Sequence, residues 1–235
     1  CIPHMARFLI FIAGLASLPA QRAVLVTPMG HSEALASFVY SGNGQYLVTA
    51  SNDRSARIWE NNSRKLLFTL NGHSDALTSA SFNPGGDRLV TASADGSACV
   101  WNAWTGEKIF CLPDHRSTVF HAGFTRDGRY LFTETHAPDE KVRIWDALTG
   151  KIIHEMEGHL TEKGNAFLSP DGKKITSASR DGSVYMYDLV TGRLLHRITG
   201  HRKAVYSSVF SPDGKRLITA SADSTARIWD VFTGR

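Results

Sequence analysis

Histidine, serine and aspartate recur together along this chain, and that combination is the raw material of nucleophilic catalysis. His31 is followed by Ser51 and Asp53, His73 by Ser93 and Asp95, His159 by Ser179 and Asp181, and His201 by Ser221 and Asp223. A fifth set, His115 and Asp139, has Ala137 at the serine position, with Thr133 and Thr135 upstream as substitutes. A catalytic triad needs one such set at a cleft, a base oriented by an acid, and oxyanion donors nearby. Here the set is copied along the chain, and no Gly-x-Ser-x-Gly elbow accompanies any copy. Repetition of that kind suits scaffolding better than a single reactive centre, so no catalytic residue is assigned. Metal chemistry fares no better. Five of the ten histidines belong to the copies, His154 and His196 stand 42 apart, and His4, His121 and His136 are scattered without ligand spacing. No Gly-x-x-x-x-Gly-Lys phosphate loop occurs, and no cofactor is expected.

The elements that position these residues follow from the period. The histidines are spaced 42, 42, 44 and 42 residues apart, and Trp59, Trp101, Trp145, Tyr187 and Trp229 keep the same intervals. Self-similarity at 40–45 residues means one supersecondary unit copied, each copy burying its apolar face on its neighbours. Within the last copy, Ala204–Phe210, Arg216–Ser221 and Thr225–Trp229 are short apolar and β-branched runs. They are parted by Ser211-Pro212-Asp213-Gly214, by Ala222-Asp223-Ser224 and by a turn ending at Gly234. Runs of this length between turn signals predict antiparallel strands. With a lead-in strand such as Arg193–Thr199, each unit is a four-stranded meander. First strands are predicted near 34–39, 76–82, 118–124, 163–168 and 204–210.

Gly-His, then x-Pro-Asp-Gly, Ser-x-Asp and Trp-Asp resembles the WD-repeat β-propeller family over roughly residues 22–235, in repeats of about 30–71, 72–113, 114–157, 158–199 and 200–235. The resemblance implies an all-β fold of four-stranded antiparallel blades around a channel. It also implies a structural hydrogen-bond network in each blade, carried by position. The first copy has His31, Ser51, Asp53 and Trp59, the second His73, Ser93, Asp95 and Trp101, and the fifth His201, Ser221, Asp223 and Trp229. The third copy departs through Asp114-His115 and two extra residues before Asp139, and keeps Trp145. The fourth keeps His159, Ser179 and Asp181 but has Tyr187 for Trp. Blades three and four are therefore expected to be the less rigid, and loss of Asp139 to cost less than loss of Asp95.

With 42% hydrophobic and 20% charged residues, the 235-residue chain can bury a substantial core. A net charge of +4, without a Lys/Arg-rich run, does not indicate nucleic acid. Three cysteines make no disulfide framework. Cys99 and Cys111 fall on neighbouring strands, but counting across the turn at Ala103–Gly106 puts them out of register, so they read as small core residues compatible with a reducing compartment.

Residues 1–21 form an irregular lead-in. Phe8–Leu18 is too short to span a bilayer, which takes about 20 apolar residues, so no membrane span is expected. With Met5 and Arg7 before it, and Gly14 and Ala16 as a small-x-small pair within it, it is alternatively a signal-peptide core. Cytoplasmic location is the first reading and export the alternative. Arg22–Thr27 aligns with Arg64–Thr69 and reads as a fourth strand. The family resemblance favours a seven-bladed ring of which these five copies are part. Pairing of residues 22–28 with Ala226–Asp230 would instead close a ring of five.

Without a catalytic constellation, rigid blades that display variable loops imply a non-catalytic protein-interaction scaffold or sensor module of a larger protein. The alternative is an exported propeller binding a small ligand in its channel, where His121 is the one candidate. In the resembling family, loops after the His and before the Ser-x-Asp acid line one rim. Here that rim holds Glu33 and Asp75 on the first two copies and Arg116, Lys163, Arg180, Arg202 and Lys203 on the next three. The expected partner is a protein or peptide, acidic or phosphorylated.

Overall fold

The computed structural model describes residues 30–112, 115–157 and 166–235. The lead-in and the strand expected at 22–28 lie outside the described residues, as do His159 and Lys163. Nineteen strands form five antiparallel sheets in chain order, and there is no helix among the described residues. Sheet one holds β1 (Leu35–Tyr40), β2 (Tyr46–Ser51), β3 (Ser55–Glu60) and β4 (Leu66–Asn71). Sheet two holds β5 (Leu77–Phe82), β6 (Arg88–Ser93), β7 (Ala98–Asn102) and β8 (Lys108–Leu112). Sheet three holds β9 (Val119–Phe124), β10 (Tyr130–Thr135), β11 (Lys141–Asp146) and β12 (Ile152–Glu157). Sheet four runs through β13 (Phe167–Leu168), β14 (Lys174–Ala178), β15 (Val184–Asp188) and β16 (Leu194–Ile198). Sheet five has three strands, β17 (Val205–Phe210), β18 (Arg216–Ser221) and β19 (Ala226–Asp230).

Local chemistry sets the turns. At Ser211–Gly214 the Ser211 hydroxyl donates to Asp213 Oδ1 at 2.6 Å and accepts the Arg216 amide at 2.9 Å. Gly214 supplies the left-handed φ of 70° that closes the turn. The turn between third and fourth strands carries a further device. Pairing slips by one residue at Ile58/Trp59, Val100/Trp101, Ile144/Trp145 and Met186/Tyr187, a bulge beside the signature aromatic in every four-stranded sheet.

Successive sheets pack face to face, and the apolar clusters lie between blades. One joins Val48, Ile58 and Leu70 of sheet one to Leu77, Leu89 and Trp101 of sheet two. The next joins Val90, Val100 and Leu112 to Val119, Leu131 and Trp145. First strands of neighbouring blades touch, β1 on β5, β5 on β9 and β13 on β17, so they form the inner wall of the stack. This arrangement explains a burial contrast between nearly identical strands. RLVTAS of β6 is buried along most of its length, because sheets cover both faces. RLITAS of β18 alternates exposed and buried, because among the described residues only one face is covered.

One cysteine expectation is overturned. Cys99 and Cys111 are direct partners on β7 and β8 and form a disulfide. The bulge at Val100/Trp101 moves the register by one residue and brings the two opposite each other. The same slot holds Arg57 opposite Thr69, Arg143 opposite Glu155 and Tyr185 opposite Arg197 in the other four-stranded blades.

Candidate functional site

The histidine loops and the turns between second and third strands meet at one end of blades one, two, three and five. In blade two His73 Nδ1 lies 3.2 Å from Asp95 Oδ2, and the amide of Ser74 donates to the same oxygen at 2.8 Å. His73 Nε2 lies 2.8 Å from Thr91 Oγ1, which also accepts the Trp101 indole N–H at 2.8 Å. A carboxylate only accepts, so His73 donates through Nδ1 and accepts the Thr91 proton at Nε2. Blade one repeats this through His31, Asp53, Thr49 and Trp59, and blade five through His201, Asp223, Thr219 and Trp229.

The hydroxyl at the centre is thus a threonine of the second strand, and the serine assignment is corrected. Ser51, Ser93 and Ser221 serve the turn itself. Ser93 Oγ donates to the carbonyls of Asp75 and Ala76 and accepts the Asp95 amide. Ser51 and Ser221 do the same in their blades, and the Ser179 hydroxyl accepts the Asp181 amide. The signal for the threonine was present: Thr49, Thr91, Thr133 and Thr219 each stand 18 residues after a repeat histidine.

Blade three keeps the upper half of the network, with His115 Nε2 and the Trp145 indole both on Thr133 Oγ1 at 2.9 Å. Its acid is engaged differently. Arg143 takes Asp139 in a two-pronged ion pair, and the Thr135 hydroxyl donates to Asp139 Oδ2 at 2.9 Å. Arg143 also reaches Glu155. Both Thr133 and Thr135 therefore act, in separate roles. Blade four has Ser177 at the threonine position and Tyr187 for Trp. Among the described residues Ser177 Oγ has no hydrogen-bond partner. Asp181 pairs with Arg197 at 2.9 Å.

Electrostatics follow the bonds. Burial pushes the Asp95 carboxyl up, but the Ser97 hydroxyl and the Ser74 and Ser97 amides outweigh it and hold it down at about 2. Asp181 is likewise brought to about 2, burial being overcome by Ser179, Ser183 and Arg197. Burial lowers His73 despite the nearby Asp95. Neutral imidazole therefore meets ionised carboxylate through a hydrogen bond. Although His, Asp and a hydroxyl are aligned as in a triad, Thr91 is fully buried and already bonded to an indole, so no substrate atom can approach it.

What remains accessible is the rim above. Glu33, Asp75, Arg116, Arg180, Arg202 and Lys203 are all exposed there. The turns of blades two and four abut the next blade's histidine loop. A Cβ on Gly182 would stand 2.6 Å from the His201 carbonyl and 3.1 Å from that of Lys203, and one on Gly96 would stand 3.1 Å from that of His115. The fold therefore brings the turn bearing Arg180 against the loop bearing Arg202 and Lys203. Arg116 sits against the blade-two turn instead. The three arginines expected as one group are divided between two blade boundaries. His121, the channel candidate, is paired at 3.3 Å with Glu134, a fully buried carboxylate that also accepts the Ala166 amide from blade four.

Comparison with known proteins agrees with this geometry. No curated protein matches the chain. The family model described as WD domain, G-beta repeat matches at residues 23–60, 64–102, 106–146, 150–188 and 192–230. Five matches in phase with the five sheets, covering most of the chain, establish that it belongs to the WD40 repeat family.

Proposed function

We propose that this chain is a non-catalytic interaction module that captures an acidic or phosphorylated peptide segment of a partner protein on the rim of histidine loops. The family is generally non-catalytic and typically provides interaction scaffolds. The observation that carries the reading is the close seating of the Arg180–Gly182 turn on the Arg202–Lys203 loop, which concentrates exposed cations at one blade boundary. Guanidinium groups in that position present planar donors to a carboxylate or phosphate. The network beneath is largely buried, fixes loop geometry and takes no part in recognition. The Cys99–Cys111 bond supports residence in an oxidising compartment, in line with the export alternative.

The test uses a fluorescent peptide carrying phosphoserine among acidic residues, with a neutral analogue as control. Wild-type protein binds the acidic peptide and releases it as salt rises, because exposed charges are screened over about 8 Å at physiological ionic strength. Joint Arg180→Glu and Arg202→Glu substitution abolishes binding without moving the thermal midpoint. Undiminished binding after charge reversal places the recognition surface elsewhere.

A further inference from the structure

The opposite rim carries a second repeated feature. After the third strand, blades two to five run Asn102-Ala-Trp104-Thr-Gly, Asp146-Ala-Leu148-Thr-Gly, Asp188-Leu-Val190-Thr-Gly and Asp230-Val-Phe232-Thr-Gly. The first residue after the Asn or Asp is buried in every case: Ala103, Ala147, Leu189 and Val231. The second is a large apolar side chain turned outward. Trp104 is 62% exposed, Leu148 70%, Val190 56% and Phe232 89%. A single exposed apolar residue needs no explanation, but the same position taken four times does.

These tips are held out. Asp146 Oδ1 accepts the amides of Leu148 and Thr149, and Asp188 and Asp230 repeat the pattern. The preceding blade then clamps each turn from outside. Phe68 lies against Gly106 and Phe110 against Gly150. His154 covers Gly192 and bonds the Val190 carbonyl at 2.7 Å, while His196 covers Gly234 and bonds that of Phe232 at 3.0 Å. The tips cannot fold inward without breaking these contacts.

Basic residues lie between the tips. Lys151, Arg193 and Arg235 follow three of them and are exposed, whereas the equivalent place in blade two holds the exposed Glu107. The turns between first and second strands share this rim, since Ala147 N bonds Arg129 O, Leu189 N bonds Lys173 O and Val231 N bonds Lys215 O. They add exposed Arg126, Arg129, Lys173, Lys215 and Arg216. Asp127, Asp171 and Asp213 on the same turns are occupied by the backbone amides of Arg129, Lys173 and Lys215. Arg126 also donates to the Pro170 carbonyl at 3.0 Å, and the exposed cations of these turns outnumber their acids.

We propose that this rim docks on the surface of an anionic lipid bilayer, with Trp104, Leu148, Val190 and Phe232 entering the boundary between headgroups and acyl chains and the interleaved Lys and Arg neutralising headgroups. A protein interface requires a contiguous dry centre ringed by polar residues. Here the apolar tips are separated along the rim by polar turns rich in Lys and Arg, and a fluid surface accepts such an array one side chain at a time while long basic chains reach the headgroups. The site is independent of the cationic rim at the other end of the blades.

Trp104 provides its own reporter, because the other four of the five tryptophans donate their indole N–H to a threonine inside a blade. The full chain is mixed with phosphatidylcholine vesicles containing about a third phosphatidylserine, and with phosphatidylcholine alone. Wild-type protein sediments with the anionic vesicles, less so at high salt. Brominated acyl chains quench its fluorescence, and Trp104→Phe removes that quenching. Joint substitution of Trp104, Leu148 and Phe232 by Ser lowers partitioning by roughly tenfold or more, with an unchanged thermal midpoint showing that the fold is intact. Absence of sedimentation with anionic vesicles, or equal partitioning of the triple variant, overturns the proposal. Concentration-dependent self-association that the triple variant loses, without vesicle binding, assigns the rim to a second copy and equally overturns it.

Discussion

Replacing Thr91 by Val removes one oxygen and leaves the β-branched shape in place. That oxygen accepts the Trp101 indole N–H and donates to His73 Nε2, each at 2.8 Å, at a fully buried site. The substitution strands a buried donor and a buried acceptor, and each costs about 1–3 kcal/mol. The sum is roughly 2–6 kcal/mol, which lowers the thermal midpoint of a chain of this size by about 4–24 °C. Thr91→Ser, which keeps the hydroxyl, recovers most of the loss. Guanidinium denaturation at constant slope measures each change, and exchange of the Trp101 indole proton localises the effect to blade two. Equal midpoint shifts for Thr91→Val and Thr91→Ser would refute the assignment of the threonine hydroxyl as the centre of the network.

Asp139→Ala is expected to destabilise more than Asp95→Ala, the reverse of the order read from the motif. It leaves the nearly buried Arg143 with only Glu155, a loss of about 3–5 kcal/mol, read as the drop in denaturation midpoint; an equal or smaller drop than for Asp95 restores the motif's order. Reduction of Cys99–Cys111, which closes a loop of 12 residues, lowers stability by about 2–3 kcal/mol. A thermal scan with and without dithiothreitol shows it, and Cys111→Ser makes the protein insensitive to the reductant.

Much of this architecture was readable because its cause is periodic. First strands expected at 76–82 and 118–124 are found at 77–82 and 119–124, since turn chemistry and the histidine phase fix both ends of each run. The threonine hub escaped notice because threonine is an ordinary strand residue and the neighbouring Ser-x-Asp is the more conspicuous pattern. Pairing of Cys99 with Cys111 depended on a one-residue bulge, which turn counting does not reveal. Capture of Asp139 by Arg143 follows from two inserted residues that redirect the turn, a backbone path with no signature in residue types. The division of the rim arginines between two boundaries likewise arises from how blades abut, which lies outside any single repeat.

The clamps on the outer strands all point the same way along the chain. Phe68 waits for Gly106, Phe110 for Gly150, His154 for Gly192 and His196 for Gly234, a delay of 38 to 40 residues each time. During synthesis at about 5–20 residues per second, that interval lasts roughly 2–8 s. Each newly emerged outer strand is thus unsheltered for seconds and is then covered by the next repeat to leave the ribosome. Cover for each outer strand therefore comes from the repeat made after it, never from the one before.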